Sequence, residues 1–285
     1  MNPPPSWSRR LPFAKLQGAG NDFVLVDGRQ LSLDWPAIAQ LTGARRIGVG
    51  SDGLLVVDHE THADLRMRMW NPDGSEDHCG NGLRCAALYA RLRGLLAQDD
   101  FVVETLAGPR RCEIVSLDGA RAQIRAGMGR ADLRPAAIPM RLDGDQVIDY
   151  PLGAADETVI VTALSTGTAH TVIFGEAPDD ARFARLSKAI ETHPLFPART
   201  SVLWATVVDA HRLRLRIWER AIGETLSCGT GAAAAATAAV VRGVALSPVA
   251  VESAGGTLQV EIADDLTLRL TGPATHVFDG ELRLP

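Results

Sequence analysis

A four-residue motif that occurs twice decides the fold of this chain: Cys79-Gly80-Asn81-Gly82 recurs as Cys228-Gly229-Thr230-Gly231. An apolar helical pattern follows each copy and runs to an Arg-Gly pair. The spacing from the cysteine to that final glycine is 15 residues in both copies. Because alanine is frequent in both stretches and favours helix, we predict helices over residues 81–92 and 230–241.

The sequence on both sides of the two motifs repeats as well. The matched segments are Val-Val-Asp at 56–58 and 207–209, Arg-x-Arg-x-Trp at 66–70 and 214–218, and ETLAGPRRCEI at 104–114 with ESAGGTLQVEI at 252–262. Their displacement stays between 148 and 151 residues. Self-similarity in a constant order is the mark of a repeated structural unit, so the sequence predicts a duplicated domain.

Each half is expected to combine many strands with two helices. Alternating or β-branched runs predict strands at 23–26, 54–57, 65–69, 101–104, 122–125, 159–163, 171–174, 202–208, 213–218, 249–252 and 258–262. Further helices are predicted over residues 34–42 and 179–191. We therefore expect a mixed α/β (α+β) fold of two pseudo-symmetric halves. Each half would be a curved or barrel-like, mainly antiparallel sheet wrapped around a central helix, with the active site in the cleft between them.

Composition sets the expected boundaries. The Pro-rich start predicts a disordered tail over residues 1–12. The connection at 142–153 is the expected boundary between the halves. This gives an N-terminal half over 13–145 that carries Cys79 and a C-terminal half over 146–285 that carries Cys228.

Charge and residue counts exclude several function classes. A net charge of −5 provides no field that would attract nucleic acid. The sequence shows no signal or membrane-spanning pattern, and four cysteines are too sparse for a disulfide scaffold, so a cytoplasmic location is expected. No C-x-x-C pair indicates a zinc site, and Lys15 and Lys188 are the two lysines that could carry pyridoxal. We therefore predict neither a metal nor a cofactor.

The repeated cysteine suggests acid–base chemistry. Gly-x-Gly after each cysteine is expected to allow a tight turn and close approach of a ligand. The N–H groups at a helix start favour a carboxylate, and the same helix start is expected to lower the pKa of the thiol. Thiols at Cys79 and Cys228, presented from opposite sides, could remove a proton from one face of a stereocentre and return one to the other.

Two simpler interpretations of the pair stay open. The cysteines could be buried residues of two similar cores, or they could form a disulfide with each other. Cys85 and Cys112 have no counterparts, since Ala234 and Val260 align with them, and both are expected to pack as small apolar residues.

These segments together resemble the diaminopimelate epimerase family from about Phe13 to the end of the chain. The resemblance rests on GAGNDFVLVDGR at 18–29, GVGSDGLLVV at 48–57, NPDGSEDHCGNGLRC at 71–85 and ERAIGETLSCGTGAAAA at 219–235. It implies interconversion of LL- and meso-diaminopimelate by two cysteines without pyridoxal, with a small-molecule amino-acid substrate. It also implies two similar α/β halves and a homodimer, with no nucleic-acid or membrane partner.

Carried over position by position, the resemblance implies roles for individual residues. Cys79 and Cys228 match the catalytic pair, and His170 matches a histidine that helps to set thiol protonation. The main-chain cradle of the reacting carboxylate matches Gly80, Asn81, Gly229 and Thr230. Substrate-binding positions match Asn21, Asn71, Glu219 and Arg220.

Three positions depart from the family pattern. The chain has Thr168-Ala169-His170 where Asn-Pro-His is usual, Ser201 where asparagine is usual, and Gly53 where glutamine is usual. The two missing asparagines would hold the non-reacting carboxylate, and Thr168 and Ser201 offer one shorter donor each. Besides a diaminopimelate epimerase, the sequence thus permits a racemase of another amino acid, a protein that binds an amino acid without turnover, and a thiol redox protein.

Overall fold

The computed structural model describes residues 9–284 as a mixed α/β fold of four helices and seventeen strands. The helices are α1 (Trp35–Gly43), α2 (Gly80–Leu92), α3 (Asp180–Glu191) and α4 (Gly229–Val241). The strands of the first part are β1 (Arg9–Gly18), β2 (Asn21–Asp27), β3 (Gly53–Asp58), β4 (Leu65–Trp70), β5 (Glu76–Asp77), β6 (Asp100–Thr105), β7 (Gly108–Asp118) and β8 (Arg121–Arg130). The remaining strands are β9 (Val147–Ala154), β10 (Glu157–Ser165), β11 (Ala169–Phe174), β12 (Ser201–Asp209), β13 (Arg212–Glu219), β14 (Gly223–Thr225), β15 (Val249–Ser253), β16 (Gly256–Ile262) and β17 (Thr267–Leu284).

The chain forms two compact units. The first contains the described residues up to Ala126 together with those from Gly272 onward, and the second is Gly127–Thr271. In the first unit the strands pair in the order β17-β1-β2-β3-β4-β6-β7-β8, and β8 pairs with β17, which closes a ring of eight. In the second unit the order is β9-β10-β11-β12-β13-β15-β16-β17.

The duplication expected from the sequence is present in the strand registers, except that residues 56–58 correspond to 204–206 and not to the matched Val-Val-Asp at 207–209. Leu54 pairs with Trp70 as Val202 pairs with Trp218, and Phe101 pairs with Cys112 as Val249 pairs with Val260. The parallel pairs also correspond, since β2–β3 and β4–β6 match β11–β12 and β13–β15. The pairs β17–β1, β1–β2, β3–β4, β6–β7 and β7–β8 are antiparallel, and so are β9–β10, β10–β11, β12–β13, β15–β16 and β16–β17. The predicted pseudo-symmetric, mainly antiparallel architecture is therefore confirmed.

A helix buried on all sides runs through each unit. Residues 81–90 of α2 are buried, and so are Gly229 and residues 231–239 of α4. Strands from around the sheet contact these helices: α2 lies against β1, β2, β3, β4 and β7, and α4 against β10, β11, β12, β13, β15 and β16. A helix that is enclosed needs no polar face, which explains the alanine run in α4. The two helices predicted over 81–92 and 230–241 are confirmed to within one residue.

The other two helices pack on the outside of their sheets. Asp34 and Asp179 cap α1 and α3 by accepting from Ala37 N at 3.1 Å and Arg182 N at 2.8 Å. Trp35 and Ile38 of α1 belong to a core with inner strands of the first unit. In the second unit, the side chains of Phe183, Leu186 and Ile190 of α3 belong to a core with strand residues of that unit. The strands between the helices are thus covered on both faces.

Two of the predicted boundaries differ from the structure. Residues 9–12 of the predicted tail lie in β1, where Leu11 is buried and pairs with Leu282; residues 1–8 lie outside the described residues. The connection predicted over 142–153 contains β9, and the boundary at 145/146 is replaced by one at 126/127, with residues from 272 onward rejoining the first unit. The partner of β1 and the segment that rejoins the first unit lie far away in the sequence, so local composition carries no sign of them, whereas β9 pairs with its neighbour β10.

Candidate active site

The two repeated cysteines occupy the same structural position in their units. Cys79 is the N-cap of α2 and Cys228 is the N-cap of α4, both with extended backbone. Each sulfur accepts from the N–H three residues on, Gly82 N and Gly231 N, at 3.4 Å. The first helical bond runs from Leu83 N to Cys79 O in α2, and from Ala232 N to Cys228 O in α4.

The bonding pattern leaves a defined set of N–H groups at each helix start. Gly80 and Asn81 in α2, and Gly229 and Thr230 in α4, precede the first i to i−4 bond and have no carbonyl one turn earlier. Such groups, together with the helix dipole, suit the oxygens of a carboxylate. The residues that the resemblance assigns to the carboxylate cradle are therefore the ones with the appropriate geometry.

The second glycine of each motif has a packing role rather than a turning one. Gly82 and Gly231 are helical, and neither has positive φ, so the tight turn expected at the motif glycines is wrong for them. A Cβ on Gly82 would lie 2.8 Å from Leu55 Cδ2, and a Cβ on Gly231 would lie 3.0 Å from Leu203 Cδ2. A side chain at either position would have to displace the buried leucine beside it, Leu55 on β3 or Leu203 on β12.

The electrostatic surroundings of Cys228 oppose ionisation. Burial raises the pKa of this thiol far above its ordinary value, and the nearby Glu219 carboxylate adds to the increase. The Thr230 hydroxyl, 3.4 Å from the sulfur, and Gly231 N–H act in the other direction but are outweighed. The expected lowering of the thiol pKa is therefore wrong for Cys228, because burial and the Glu219 carboxylate outweigh the Thr230 hydroxyl and the Gly231 N–H.

The other two cysteines behave as the repeat alignment suggested. Cys85 and Cys112 are fully buried in the core around α2. Burial raises the pKa of each thiol to about 12. Both therefore act as small apolar side chains.

A chain of polar side chains in the first unit leads from α2 to β2. Arg84 Nη2 donates to Asn81 Oδ1 at 2.5 Å, Asn81 Nδ2 donates to Asn21 Oδ1 at 2.6 Å, and Asn21 Nδ2 donates to Asp52 Oδ2 at 3.0 Å. Asn21 therefore lies within hydrogen-bonding distance of the helix start that carries Cys79. Arg84 and Asp52, the two end residues of this series, were not predicted from the sequence; the available signal for Arg84 was an arginine within a largely apolar helix pattern.

Asn71 lies at the end of β4 in a turn. Its main-chain N–H donates to Ser75 O at 2.8 Å, and its side chain donates to Ser75 Oγ at 3.1 Å. The structurally equivalent residue of the second unit is Glu219, at the end of β13, which accepts from Thr225 Oγ1 at 2.7 Å. The two units thus place different chemistry, an amide and a carboxylate, at the same point.

The three residues that depart from the family pattern form hydrogen bonds or close contacts within their own units. Ser201 Oγ accepts from Arg220 N at 3.1 Å, and Thr168 Oγ1 lies 3.0 Å from His170 Nε2. In the first unit, a Cβ at Gly53 would lie 2.7 Å from Met69 Cε and 3.0 Å from Trp70 O. A longer side chain at this last position would displace Met69.

His170 is a buried neutral base. Burial lowers the pKa of its ring to about 3, and the positive charge of Arg220 contributes. The Nδ1 atom is buried without a hydrogen-bond partner in the described part of the chain. An imidazole in this state does not titrate near neutral pH.

A buried carboxylate that the sequence analysis missed holds the segment after β13. Glu191, at the end of α3, is 1% exposed and accepts from Ala221 N at 3.0 Å. Ala221 follows Glu219 and Arg220 directly and has a φ of +65°, a conformation that needs support in a residue other than glycine. Glu191 therefore helps to place two residues that the resemblance assigns to substrate binding.

No helix within residues 9–284 has the length and apolar character needed to cross a bilayer.

The sequence matches the family model described as diaminopimelate epimerase over residues 13–133 and 162–277. It is 47% identical over 275 residues to a diaminopimelate epimerase from Desulforudis audaxviator (strain MP104C), covering 95% of this chain and 99% of that relative. It is 42% identical over 276 residues to one from Moorella thermoacetica, covering 95% of this chain and 99% of that relative.

Solved structures share the fold at low sequence identity. A hydroxyproline epimerase from Agrobacterium vitis, with bound trans-4-hydroxy-L-proline, superposes with a TM-score of 0.71 at 14% identity, covering 98% of this chain and 94% of that one. A phenazine biosynthesis protein of the PhzF family from Bacillus anthracis gives 0.67 at 19% identity, covering 97% and 100%. These likenesses establish the fold alone.

Proposed function

Because this chain belongs to the diaminopimelate epimerase family, we propose that it interconverts LL- and meso-diaminopimelate by a two-base mechanism that needs no cofactor. One observation carries the proposal. The two units of the repeat present a cysteine at the same helix start, each followed by two N–H groups that precede the first helical bond. A binding protein without turnover would not require this paired acid and base.

The proposed reaction is a proton transfer at the α-carbon. One thiolate takes the α-proton and becomes a thiol, while the other thiol gives its proton to the opposite face and becomes a thiolate. No bond to carbon other than C–H is broken, and nothing is oxidised. The N–H groups of Gly80, Asn81, Gly229 and Thr230 would hold the reacting carboxylate and stabilise the charge that develops during deprotonation.

Burial of Cys228 supports an assignment of roles. Because its pKa is raised by burial and by Glu219, Cys228 enters the reaction as the acid, and Cys79 acts as the base in the direction that starts from this state. In the reverse direction the two roles exchange. His170, which burial keeps neutral, does not compete for the proton.

Arg220 supports a substrate with a second carboxylate. Its Nη1 donates to Ala198 O at 3.1 Å, which fixes one end of a guanidinium whose planar fork suits carboxylate oxygens. A charged group of this kind disfavours amino acids with neutral side chains, since it would be left unpaired.

A racemase of another amino acid with the same mechanism is the second candidate. The observation that favours it is the altered set of Thr168, Ser201 and Gly53. The two hydroxyls are engaged within the protein, and Gly53 has no room for a longer side chain unless Met69 moves. The residues assigned to the reacting centre match the family pattern, whereas those assigned to the distal carboxylate differ from it.

Substitution of each cysteine tests the mechanism. Cys79→Ala and Cys228→Ala should each abolish inversion of LL-diaminopimelate, measured in a chelator and a thiol reductant with protein free of pyridoxal. Cys85→Ala is the control and should leave the rate nearly unchanged, because this thiol lies in the core. Full epimerisation by the Cys228→Ala variant would refute the two-base mechanism.

A panel of substrates tests the assignment of diaminopimelate. Exchange of the α-proton with solvent deuterium is measured for LL-diaminopimelate beside amino acids with a single carboxylate. The proposal expects the highest kcat/KM for diaminopimelate. A tenfold higher value for a monocarboxylate would establish the second candidate instead. The homodimer implied by the resemblance and the cytoplasmic location expected from the sequence composition stay predictions.

A further inference from the structure

In the first unit, a series of hydrogen-bonded side chains runs from Arg84 to Asp52. The two end residues determine which group donates and which accepts at every step between them. A guanidinium can only donate hydrogen bonds, and a carboxylate can only accept them. Arg84 donates at one end and Asp52 accepts at the other, with the amides of Asn81 and Asn21 between them. Each amide can therefore satisfy both neighbours in one orientation only. This set of four residues is the amide relay.

The relay decides what Asn21 offers to a ligand. With its oxygen accepting from Asn81 and one N–H given to Asp52, Asn21 keeps its second N–H. An N–H suits a carboxylate, whereas the inverted amide would present an oxygen and suit an ammonium group. We propose that Arg84 and Asp52 are positioning residues that lock the amide relay, so that Asn21 presents an N–H donor to a carboxylate of the substrate. The proposal rests on the proposed function and on the substrate-binding position that the family resemblance assigns to Asn21.

No carboxylate within residues 9–284 compensates the buried charge of Arg84. Arg84 is fully buried, donates to Gly80 O at 3.3 Å and Pro273 O at 3.4 Å besides Asn81, and forms no ion pair within that range. Burying a cation without a carboxylate is unfavourable, and apolar replacements of buried charges are often tolerated. Orientation of the Asn81 amide gives this buried guanidinium a role that an apolar side chain could not fill.

The second unit shows that the fold does not need the relay. The β2–β3 register pairs Phe23 with Gly53, and the equivalent β11–β12 register pairs His170 with Ser201. From this register and the aligned cysteines, the four relay positions correspond to Thr168, Thr200, Thr230 and Ala233. The same architecture is therefore built without an arginine, an aspartate or an amide at these positions.

Arg84 or Asp52 alone is sufficient to orient both amides of the relay. Single and double variants therefore give different expected results. Arg84→Met keeps the volume and removes the donor. Asp52→Asn keeps the shape and can both donate and accept. Asp22 N donates to Oδ2 at 3.1 Å and Arg45 Nη2 donates to Oδ1 at 2.6 Å, so an amide oxygen finds a donor on either side and either end of the new amide can face Asn21. Each single variant should lower kcat/KM for LL-diaminopimelate by less than about fivefold, because the other end still orients both amides. The double variant should fall about tenfold below the product of the two single effects, chiefly through KM. Coupling of this size is typical of residues that share one hydrogen-bond network.

A matched control and a rescue variant separate orientation from damage to the fold. Arg91→Met removes another arginine from α2, one paired with Asp99, and should leave kcat/KM within about twofold. Arg84→Lys combined with Asp52→Asn retains a donor-only end and should match Asp52→Asn alone. The proposal would be overturned if kcat/KM of this lysine variant fell below that of Asp52→Asn alone. It would also be overturned if the effect of Arg84→Met combined with Asp52→Asn equalled the product of the two single effects. If that pair does not fold, the lysine variant decides.

A readout without substrate distinguishes failure of this proposal from failure of the proposed function. The chain has four asparagines, Asn2, Asn21, Asn71 and Asn81, so side-chain NH2 signals of ¹⁵N-asparagine-labelled protein are few. The Asn21 and Asn81 signals should exchange slowly with solvent in the wild-type protein and both single variants, and rapidly in the double variant. Equal protection in the double variant would refute the relay. Absence of turnover by the wild-type protein would refute the proposed function and leave this readout intact.

Discussion

Replacing Glu191 with glutamine should both destabilise the second unit and weaken substrate binding. Four donors converge on this carboxylate. Trp218 Nε1 and Lys188 Nζ reach Oε2 at 2.9 and 3.0 Å, and Ala221 N and Arg199 Nη1 reach Oε1 at 3.0 and 3.3 Å. Glutamine has one acceptor oxygen, so its NH2 group must face one of the two donor pairs.

The size of the destabilisation follows from the donors that the glutamine NH2 group leaves without an acceptor. Loss of charge-assisted hydrogen bonds at a buried group costs about 1.5–3 kcal/mol each, and part is recovered through the remaining oxygen, so about 3 kcal/mol is expected. At about 2–4 °C per kcal/mol for a chain of this size, Tm should fall by about 6–12 °C. Since Ala221 N–H loses its partner or keeps a weaker one, KM for LL-diaminopimelate should rise several-fold while kcat changes less.

The pH dependence of this effect has a definite sign. Burial alone would raise the pKa of Glu191, but hydrogen bonds from Trp218 and Ala221 and the interaction with Lys188 outweigh it and lower the pKa below the ordinary 4.5. A carboxyl group with a lowered pKa contributes stability that is present above its unfolded-state pKa and is lost as the pH falls through the folded-state value. The difference in Tm between the wild-type protein and Glu191→Gln should therefore be full at pH 7 and shrink as the pH falls below the ordinary value of 4.5.

Thermal unfolding followed by circular dichroism, at pH 7 and in steps down to pH 3.5, measures these effects. Glu157→Gln is the control, because this carboxylate pairs with Arg182 and Arg185 at the surface and should change Tm little. A Glu191→Gln protein whose Tm lies within 1 °C of the wild-type value, with unchanged KM, would show that the four contacts do not hold the segment after β13.

Two further predictions concern the second unit. Because burial lowers the pKa of His170 to about 3, its ring proton signals in NMR spectra should keep constant chemical shifts from pH 5 to 8; a titration step near 6.5 would refute the neutral assignment. Thr168→Asn combined with Ser201→Asn should raise kcat/KM for LL-diaminopimelate by about fivefold or more, since each added amide donor is worth about 1 kcal/mol, and an unchanged or lower value would show that these positions do not contact the distal carboxylate.

The sequence by itself determined the repeat, the four helices and the cysteine pair. These features are local: the motif, the 15-residue spacing and the alanine content are all contained in short segments, and hydrophobic periodicity acts over the same range. The family resemblance and the strand equivalences at Trp70 and Trp218 also follow from residues that are neighbours in the chain. The structure therefore confirms the architecture that these segments predict.

The tertiary structure alone decided the boundaries and the supporting residues of the site. Strand β1 starts at Arg9 because β17, more than 250 residues later, lies beside it, and the first unit regains the C-terminal segment for the same reason. The raised pKa of Cys228 depends on burial and on Glu219, and the roles of Arg84 and Glu191 depend on partners brought together by folding. Desolvation and hydrogen-bond partners are properties of the packed chain, and no spacing within the sequence encodes them.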